Sequence, residues 1–232
     1  MQASDVRRVR LGTFIRPGEE TSDGNPRVEV VNGYVLHHPG GIVLVDTGIG
    51  VTDDETEAWY RPVRVPLADA LATAAADLER VHLVVNCHLH FDHCGGNPAL
   101  AGRPVVTQRT ELQAAQATGY TAPALVDFAG ARYEELDGEA ELMAGLIVVP
   151  TPGHTAGHQS VVVRCDDGTV VVAGQSHDHA DGFTGDVLAL QARTEGQDGL
   201  LPVAPDWIER LLRFDPRRVV FAHDDAVWEP AP

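Results

Sequence analysis

The sequence predicts an α/β fold in which sheets are covered by helices, and three observations predict it. Short apolar, β-branched runs recur along the chain at strand length. Ala- and Leu-rich stretches with helical spacing lie between them. Where an apolar run ends, a polar residue able to bind or orient a ligand follows closely, as expected of strands whose ends share one edge of a sheet.

In chain order, Val28–Leu36 and Ile42–Val45 read as strands divided by the turn His38-Pro39-Gly40-Gly41. Leu67–Leu78 (LADALATAAADL) reads as a packing helix, Leu83–Val85 as a strand, and Thr110–Ala117 as a second helix. Leu146–Val149, Val161–Val163 and Val170–Ala173 read as strands, the last two joined by Asp166-Asp167-Gly168. Residues 176–200 are rich in Gly and Asp with little periodicity, and are expected to form a long loop. Trp207–Arg213 reads as a helix with Asp206 as N-cap, closed before Pro216, and Val219–Phe221 is the final strand.

Composition narrows the function. With 232 residues the chain suits one large domain or two small ones, and 44% apolar residues allow a core without staples. Three cysteines do not make a disulfide framework, and the N-terminus has no apolar run of signal-peptide length, so a cytoplasmic protein is expected. The net charge is −17 and all 17 basic residues are Arg. Such a surface repels polyanions, which argues against nucleic acid and against an anionic membrane as partners.

Residues 86–97 read NCHLHFDHCGGN, and the six from His88 to His93 hold three histidines and one aspartate. In extended backbone, residues i and i+2 point the same way, so His88 and His90 can share one ion while Leu89 turns inward. The chain must then turn, and Asp92 and His93 can face a second ion. Neutral imidazoles suit zinc and Asp supplies a hard oxygen. The nearest strand ends add Asp46, His154, Gln175 and His223. No compact Cys pair of structural-zinc type is present, so an open, catalytic centre is expected.

With TPGHTAGHQS at 151–160 and His223 after a late strand, the HLHFDHCGGN motif resembles the metallo-β-lactamase superfamily, and is especially similar to its N-acyl-homoserine lactonase branch. The resemblance covers about Val28 to His223. It implies a four-layer αββα sandwich over a single domain, 1–232, with a two-metal site at one edge. Carried over, one Zn2+ takes His88, His90 and His154, and a second takes Asp92, His93 and His223. Asp46 supports the ligands from behind, and Asp92 and His223 are the expected catalytic residues. Fe and Mn stay open as alternatives. Two positions depart from the lactonases: Gln175 stands where they have a metal-bridging aspartate, and Asp178 where they have a substrate-contacting tyrosine. Gln175 is therefore expected within reach of the pair as a weak or non-bridging contact, leaving the second site weaker.

The implied activity is hydrolysis of a small-molecule lactone or related ester by metal-activated water. No GxSxG motif offers a serine nucleophile. Alternatives are a thioesterase or glyoxalase-II-like hydrolase, a mononuclear iron oxygenase of the same fold (against which Gln175 argues, since a carboxylate is wanted there), and a metal-binding module without turnover. Arg16–Pro26 and Ser176–Leu200 are expected to wall the cleft, with Phe183, Leu188, Leu190 and Asp178 as substrate contacts. His177, Asp178 and His179 read as a solvated loop, with a place beside the metals as the alternative. His158 reads as a structural hydrogen bonder, Cys87 and Cys94 as packing, and His37, His38 and His82 as surface or packing residues. Oligomeric state is not legible.

Overall fold

The computed structural model describes residues 1–21, 23–197 and 201–230. A seven-stranded sheet is built from β1 (Val6–Arg16), β2 (Arg27–His38), β3 (Gly41–Val45), β4 (Val63–Arg64), β5 (Val81–Val85), β6 (Val105–Gln108) and β7 (Tyr133–Leu136) in the order β4-β1-β2-β3-β5-β6-β7. Helices α1 (Asp54–Tyr60), α2 (Leu67–Thr73) and α3 (Arg109–Ala115) interrupt it in sequence. A six-stranded sheet follows, from β8 (Ala140–Met143), β9 (Leu146–Pro150), β10 (Gln159–Val163), β11 (Thr169–Val172), β12 (Pro216–Val220) and β13 (Val227–Trp228), in the order β13-β12-β11-β10-β9-β8. Helices α4 (Ala180–Thr194) and α5 (Asp206–Leu212) precede β12.

Strand alternation makes the layers. Val43 and Val45 of β3 and Leu83 and Val85 of β5 face Val148, Val161, Val163, Val170, Val172 and Val220 of the other sheet. The intervening Ile42 and Leu44 face outward onto Ala70, Leu71 and Ala74 of the α2 region. In the second sheet Ile147, Val149, Val162, Val171, Val219 and Phe221 face outward onto Phe183 and Val187 of α4 and Ile208 and Leu211 of α5. The result is the expected αββα sandwich. Each such buried Val or Leu contributes roughly 1.5–3 kcal/mol. Tyr34 of β2 also donates its hydroxyl to the Phe221 carbonyl at 2.8 Å, and Asn32 N–H donates to the Ala222 carbonyl at 2.8 Å. These bonds tie the end of β12 to the opposite sheet.

Several elements differ from the sequence expectation. The stretch 176–200 is not a long loop: Ala180–Thr194 is helical, because Ala180, Phe183, Val187 and Leu190 pack onto the second sheet despite Gly182 and Gly185. The Leu67–Leu78 helix stops at Thr73; Ala75 turns left-handed (φ 57°) and Asp77 caps a separate 3-10 turn by accepting from Arg80 N–H at 3.0 Å. Asp206 is the first residue of α5, with Pro205 in the capping position. The strand Val6–Arg16 and helix α1 carry no continuous apolar run and are additions to the sequence reading. Among the described residues no helix is long and apolar enough to cross a membrane.

Candidate metal centre

Strand ends from both sheets deliver the polar side chains to one edge. β3 leads into Asp46, whose backbone is left-handed (φ 59°). Its carboxylate bridges both arms of the loop after β5: Oδ1 accepts from Cys87 N–H at 2.8 Å, and Oδ2 accepts from His93 Nδ1 at 2.8 Å. The loop is tightened by Cys94 N–H donating to the His90 carbonyl, by Asn86 Nδ2 donating to the His93 carbonyl, and by Thr47 N–H donating to that same carbonyl. Gly95 is required where the 46–50 segment crosses it, since a Cβ there would stand 1.8 Å from Gly50 N.

The structure brings together all six residues expected to bind metal. His88 Nε2 lies 3.0 Å from His90 Nδ1, and His154 Nε2 lies 3.1 Å from the same atom. In the second group His93 Nε2 is 3.2 Å from His223 Nε2, and Asp92 Oδ2 is 3.5 and 3.4 Å from those two nitrogens. Donors arranged tetrahedrally at 2.0–2.1 Å around zinc stand roughly 3.3–3.4 Å apart, so both spacings fit one small cation per group. The donor sets, three imidazoles and two imidazoles with a carboxylate, fit zinc as well.

Electrostatics support the same reading. Burial pushes His88 well below the usual imidazole range, helped by its imidazole neighbours, and burial likewise lowers His154. With the ring protons on the outward nitrogens, the lone pairs of these neutral rings converge within 3.0–3.1 Å, an arrangement that a cation between them satisfies. His93 goes the other way: burial opposes its charge, but Asp92 and Asp46 raise it to about 9. Burial would raise Asp92, yet His93, His223 and His90 hold it below the usual carboxylate range. The second group therefore attracts positive charge. Asp46 takes the Nδ1–H of His93 and the Val30 carbonyl takes the Nδ1–H of His223 at 2.7 Å, so each ring turns Nε2 toward the candidate ion site.

Glu111 was not singled out from sequence. Fully buried on α3, it accepts from Leu89 N–H at 2.8 Å, from Thr155 Oγ1 at 2.7 Å, and from the Tyr120 hydroxyl. One carboxylate thus braces the loop carrying His88 and His90 against the loop carrying His154. The available signal was its place on the helix face shared with buried Leu112 and Ala115. His158 is a structural hydrogen bonder as expected: Nδ1 bonds the Thr151 carbonyl at 3.1 Å, and Nε2 accepts from Gln175 N–H at 3.0 Å.

Gln175 is buried, and its Nε2 donates to Asp178 Oδ1 at 3.0 Å. Arg27 Nη2 holds the other Asp178 oxygen at 3.0 Å, and the Asp178 side chain stays 40% exposed. The remaining proposed substrate contacts are corrected. Phe183 is fully buried against Phe221 and Trp228, and Leu190 packs on the same core. Leu188 is exposed on the outer side of α4. All three follow from 180–194 being a helix that covers the second sheet. His177 bonds Asp186 at 3.0 Å and packs edge-on against Phe183 and Trp207, and His179 precedes α4 without capping it.

The cleft beside His90, about 1110 Å³, is walled instead by Tyr60 of α1, Phe91, and the segment after α3 that carries Tyr120 and Val126. Of the expected Arg16–Pro26 wall, Glu20 accepts from the Tyr60 hydroxyl at 2.7 Å, which ties this segment to the Tyr60 side of the cleft. Ser22 of that segment and residues 198–200 of the other expected wall lie outside the described residues.

Comparison with known proteins bears on the family and the fold. The family model for the metallo-beta-lactamase superfamily matches residues 26–223. An N-acyl homoserine lactonase of Bacillus sp is 30% identical over 146 residues, 57% of this chain and 58% of the relative. That of Bacillus cereus is 29% identical over 153 residues, 60% of each. The chain thus spans about three fifths of the length of these curated relatives. Among solved structures, an N-acyl homoserine lactone hydrolase with the product N-hexanoyl-L-homoserine at its catalytic metal center superposes with a TM-score of 0.76 at 22% identity, covering 97% of this chain and 95% of that one. AidC, a dizinc quorum-quenching lactonase, superposes at 0.68 and 14% identity, covering 96% and 88%.

Proposed function

The chain belongs to the metallo-beta-lactamase superfamily, and from that premise we propose that it is a zinc-dependent hydrolase that opens a lactone or related ester. The observation that carries this reading is the pair of donor groups at one sheet edge, His88, His90 and His154 beside Asp92, His93 and His223, with spacings of 3.0–3.5 Å. The relatives' activity on N-acyl homoserine lactones supports the substrate class. One zinc would be held by the three imidazoles and the second by the aspartate and two imidazoles. Bound there, such ions supply a water acidic enough to attack at neutral pH and a Lewis acid for the carbonyl and the leaving alkoxide.

The chain's own residues do the rest. Asp92, held in its anionic form, accepts a hydrogen bond from the attacking water and turns a lone pair toward the carbonyl carbon. Asp46 and the Val30 carbonyl fix the tautomers of His93 and His223, so that neither ring turns. Tyr60, Phe91, Tyr120 and Val126 give the cleft an aromatic and aliphatic wall suited to an acyl or ring portion. Residues 1–232 are read as one domain. Three unpaired cysteines accord with a cytoplasmic location.

The test is a panel of acyl lactones, aryl esters and thioesters with zinc-loaded protein, run beside metal analysis. Two zincs per chain and lactone opening faster than thioester cleavage are expected. Thioester cleavage dominating the panel, or turnover with iron alone, defeats the proposal.

A further inference from the structure

Gln175 ends a chain of charged groups that runs from β2 to the second donor group. Glu29, 1% exposed, sits at the far end, where its Oε1 accepts from Arg16 Nε at 2.9 Å and Arg27 Nε at 2.6 Å. Arg27 Nη2 reaches Asp178 Oδ2 at 3.0 Å, and Arg16 Nη2 stands 3.9 Å from Oδ1. Asp178 Oδ1 then takes the Gln175 carboxamide NH2 at 3.0 Å. The Gly174 carbonyl accepts from Ala222 N–H at 2.9 Å, which seats Gln175 next to His223 of the second donor group.

A carboxamide has two unlike ends, one an acceptor and one a donor, and only the oxygen can approach a cation. Nothing within an isolated Gln decides which end faces which way. A carboxylate decides it, because it accepts and cannot donate. With the NH2 committed to Asp178, the oxygen is the end left for His93 and its neighbours. A flipped carboxamide would set oxygen against carboxylate and NH2 against an ion. The two arginines keep Asp178 from leaving this task.

Resting on the two-metal reading above, we propose that Asp178 is a positioning residue for Gln175: its carboxylate takes the carboxamide NH2 and so turns the carboxamide oxygen toward the Asp92–His93–His223 group. Gln175 then serves as an oriented neutral oxygen beside the second ion.

The experiment is zinc titration of apo protein, with cobalt absorption as an independent report on coordination, for Asp178→Asn alone and with Gln175→Asp. Asp178→Asn, whose side chain can donate or accept, should weaken the second site about tenfold or more and leave the first unchanged. Combined with Gln175→Asp, where no carboxamide remains to orient, it should not weaken the second site. Equal weakening in both contexts, loss at both sites, or no weakening overturns the proposal. Should Asp178→Asn fail to fold, Arg27→Gln, which releases Asp178 from one side, should give a smaller loss with the same dependence on Gln175, and its absence overturns the proposal as well. A protein that binds two zincs yet opens no lactone defeats only the substrate reading. A second site indifferent to Asp178 defeats only this one.

Discussion

Replacing Glu111 separates bracing from charge. Its two oxygens satisfy Leu89 N–H, the Thr155 hydroxyl and the Tyr120 hydroxyl, and the first two contacts are fully buried. Glu111→Ala strands two buried donors at about 1–3 kcal/mol each, roughly 2–6 kcal/mol in all. That is a large part of the 5–15 kcal/mol typical of a domain. Glu111→Gln is milder. Its oxygen can still accept from Leu89 and Tyr120, and its NH2 can donate to a Thr155 hydroxyl that rotates to accept. What it loses is the anionic strengthening of these bonds, about 1 kcal/mol per bond. The loops so loosened carry His88, His90 and His154, so zinc at this group should weaken about 10-fold or more in the Gln variant, while the group containing Asp92 changes less. Urea unfolding of apo protein and zinc competition titration give both quantities. A Gln variant within about 0.5 kcal/mol of the parent and with unchanged affinity at the three-histidine group would refute the bracing role.

Three further outcomes follow from the same geometry. His90→Ala removes the nitrogen that both His88 and His154 approach; it should strip one zinc and abolish hydrolysis while circular dichroism stays native, and near-normal turnover without that zinc would sink the mechanism. Gln175→Asp should tighten the second zinc, since an anion between two cations lowers their repulsion, and equal affinities in the titration would contradict it. Apo protein should lose stability as pH falls below about 6.5. His88 and His158 are buried and held well below the imidazole value, so their contribution is present above the unfolded pKa and is lost as pH falls toward the folded one. His93, raised to about 9, has the opposite sign: its contribution is present below the unfolded value and fades as pH rises through about 9. A flat melting temperature between pH 7 and 5 in chelated protein would count against the buried neutral rings.

The six candidate donors were legible because their signal is local. His88 and His90 obey the two-residue period of extended chain, Asp92 and His93 follow a turn marked by Gly95-Gly96, and His154 and His223 each follow an apolar run. The strands of the inner layers were legible for a similar reason: buried on both faces, they read as unbroken Val, Ile and Leu. Helix α4 was not, because Gly182, Gly185 and three acidic residues in 176–186 mask a stripe whose only purpose is to cover the second sheet. Misplacing that helix misplaced Phe183, Leu188 and Leu190 with it. Val6–Arg16 was passed over because arginines fill its outward positions. Glu111 stayed hidden because two of its three partners lie 22 and 44 residues away, and nothing in the local sequence announces them.

Each donor group draws from both sheets. His88 and His90 follow β5 of one sheet and His154 follows β9 of the other; Asp92 and His93 belong to the first and His223 to the second. Metal bound at this edge is therefore a rivet through the sandwich, holding its halves together where the covering helices do not reach. Each ion at a concentration one hundred times its dissociation constant would add about 2.7 kcal/mol against parting of the sheets. A chelator would then act as a mechanical agent as well as an inhibitor. The seam it loosens runs along Asn32 and Tyr34 on one sheet and Phe221 and Ala222 on the other, where a backbone N–H and a hydroxyl cross between them.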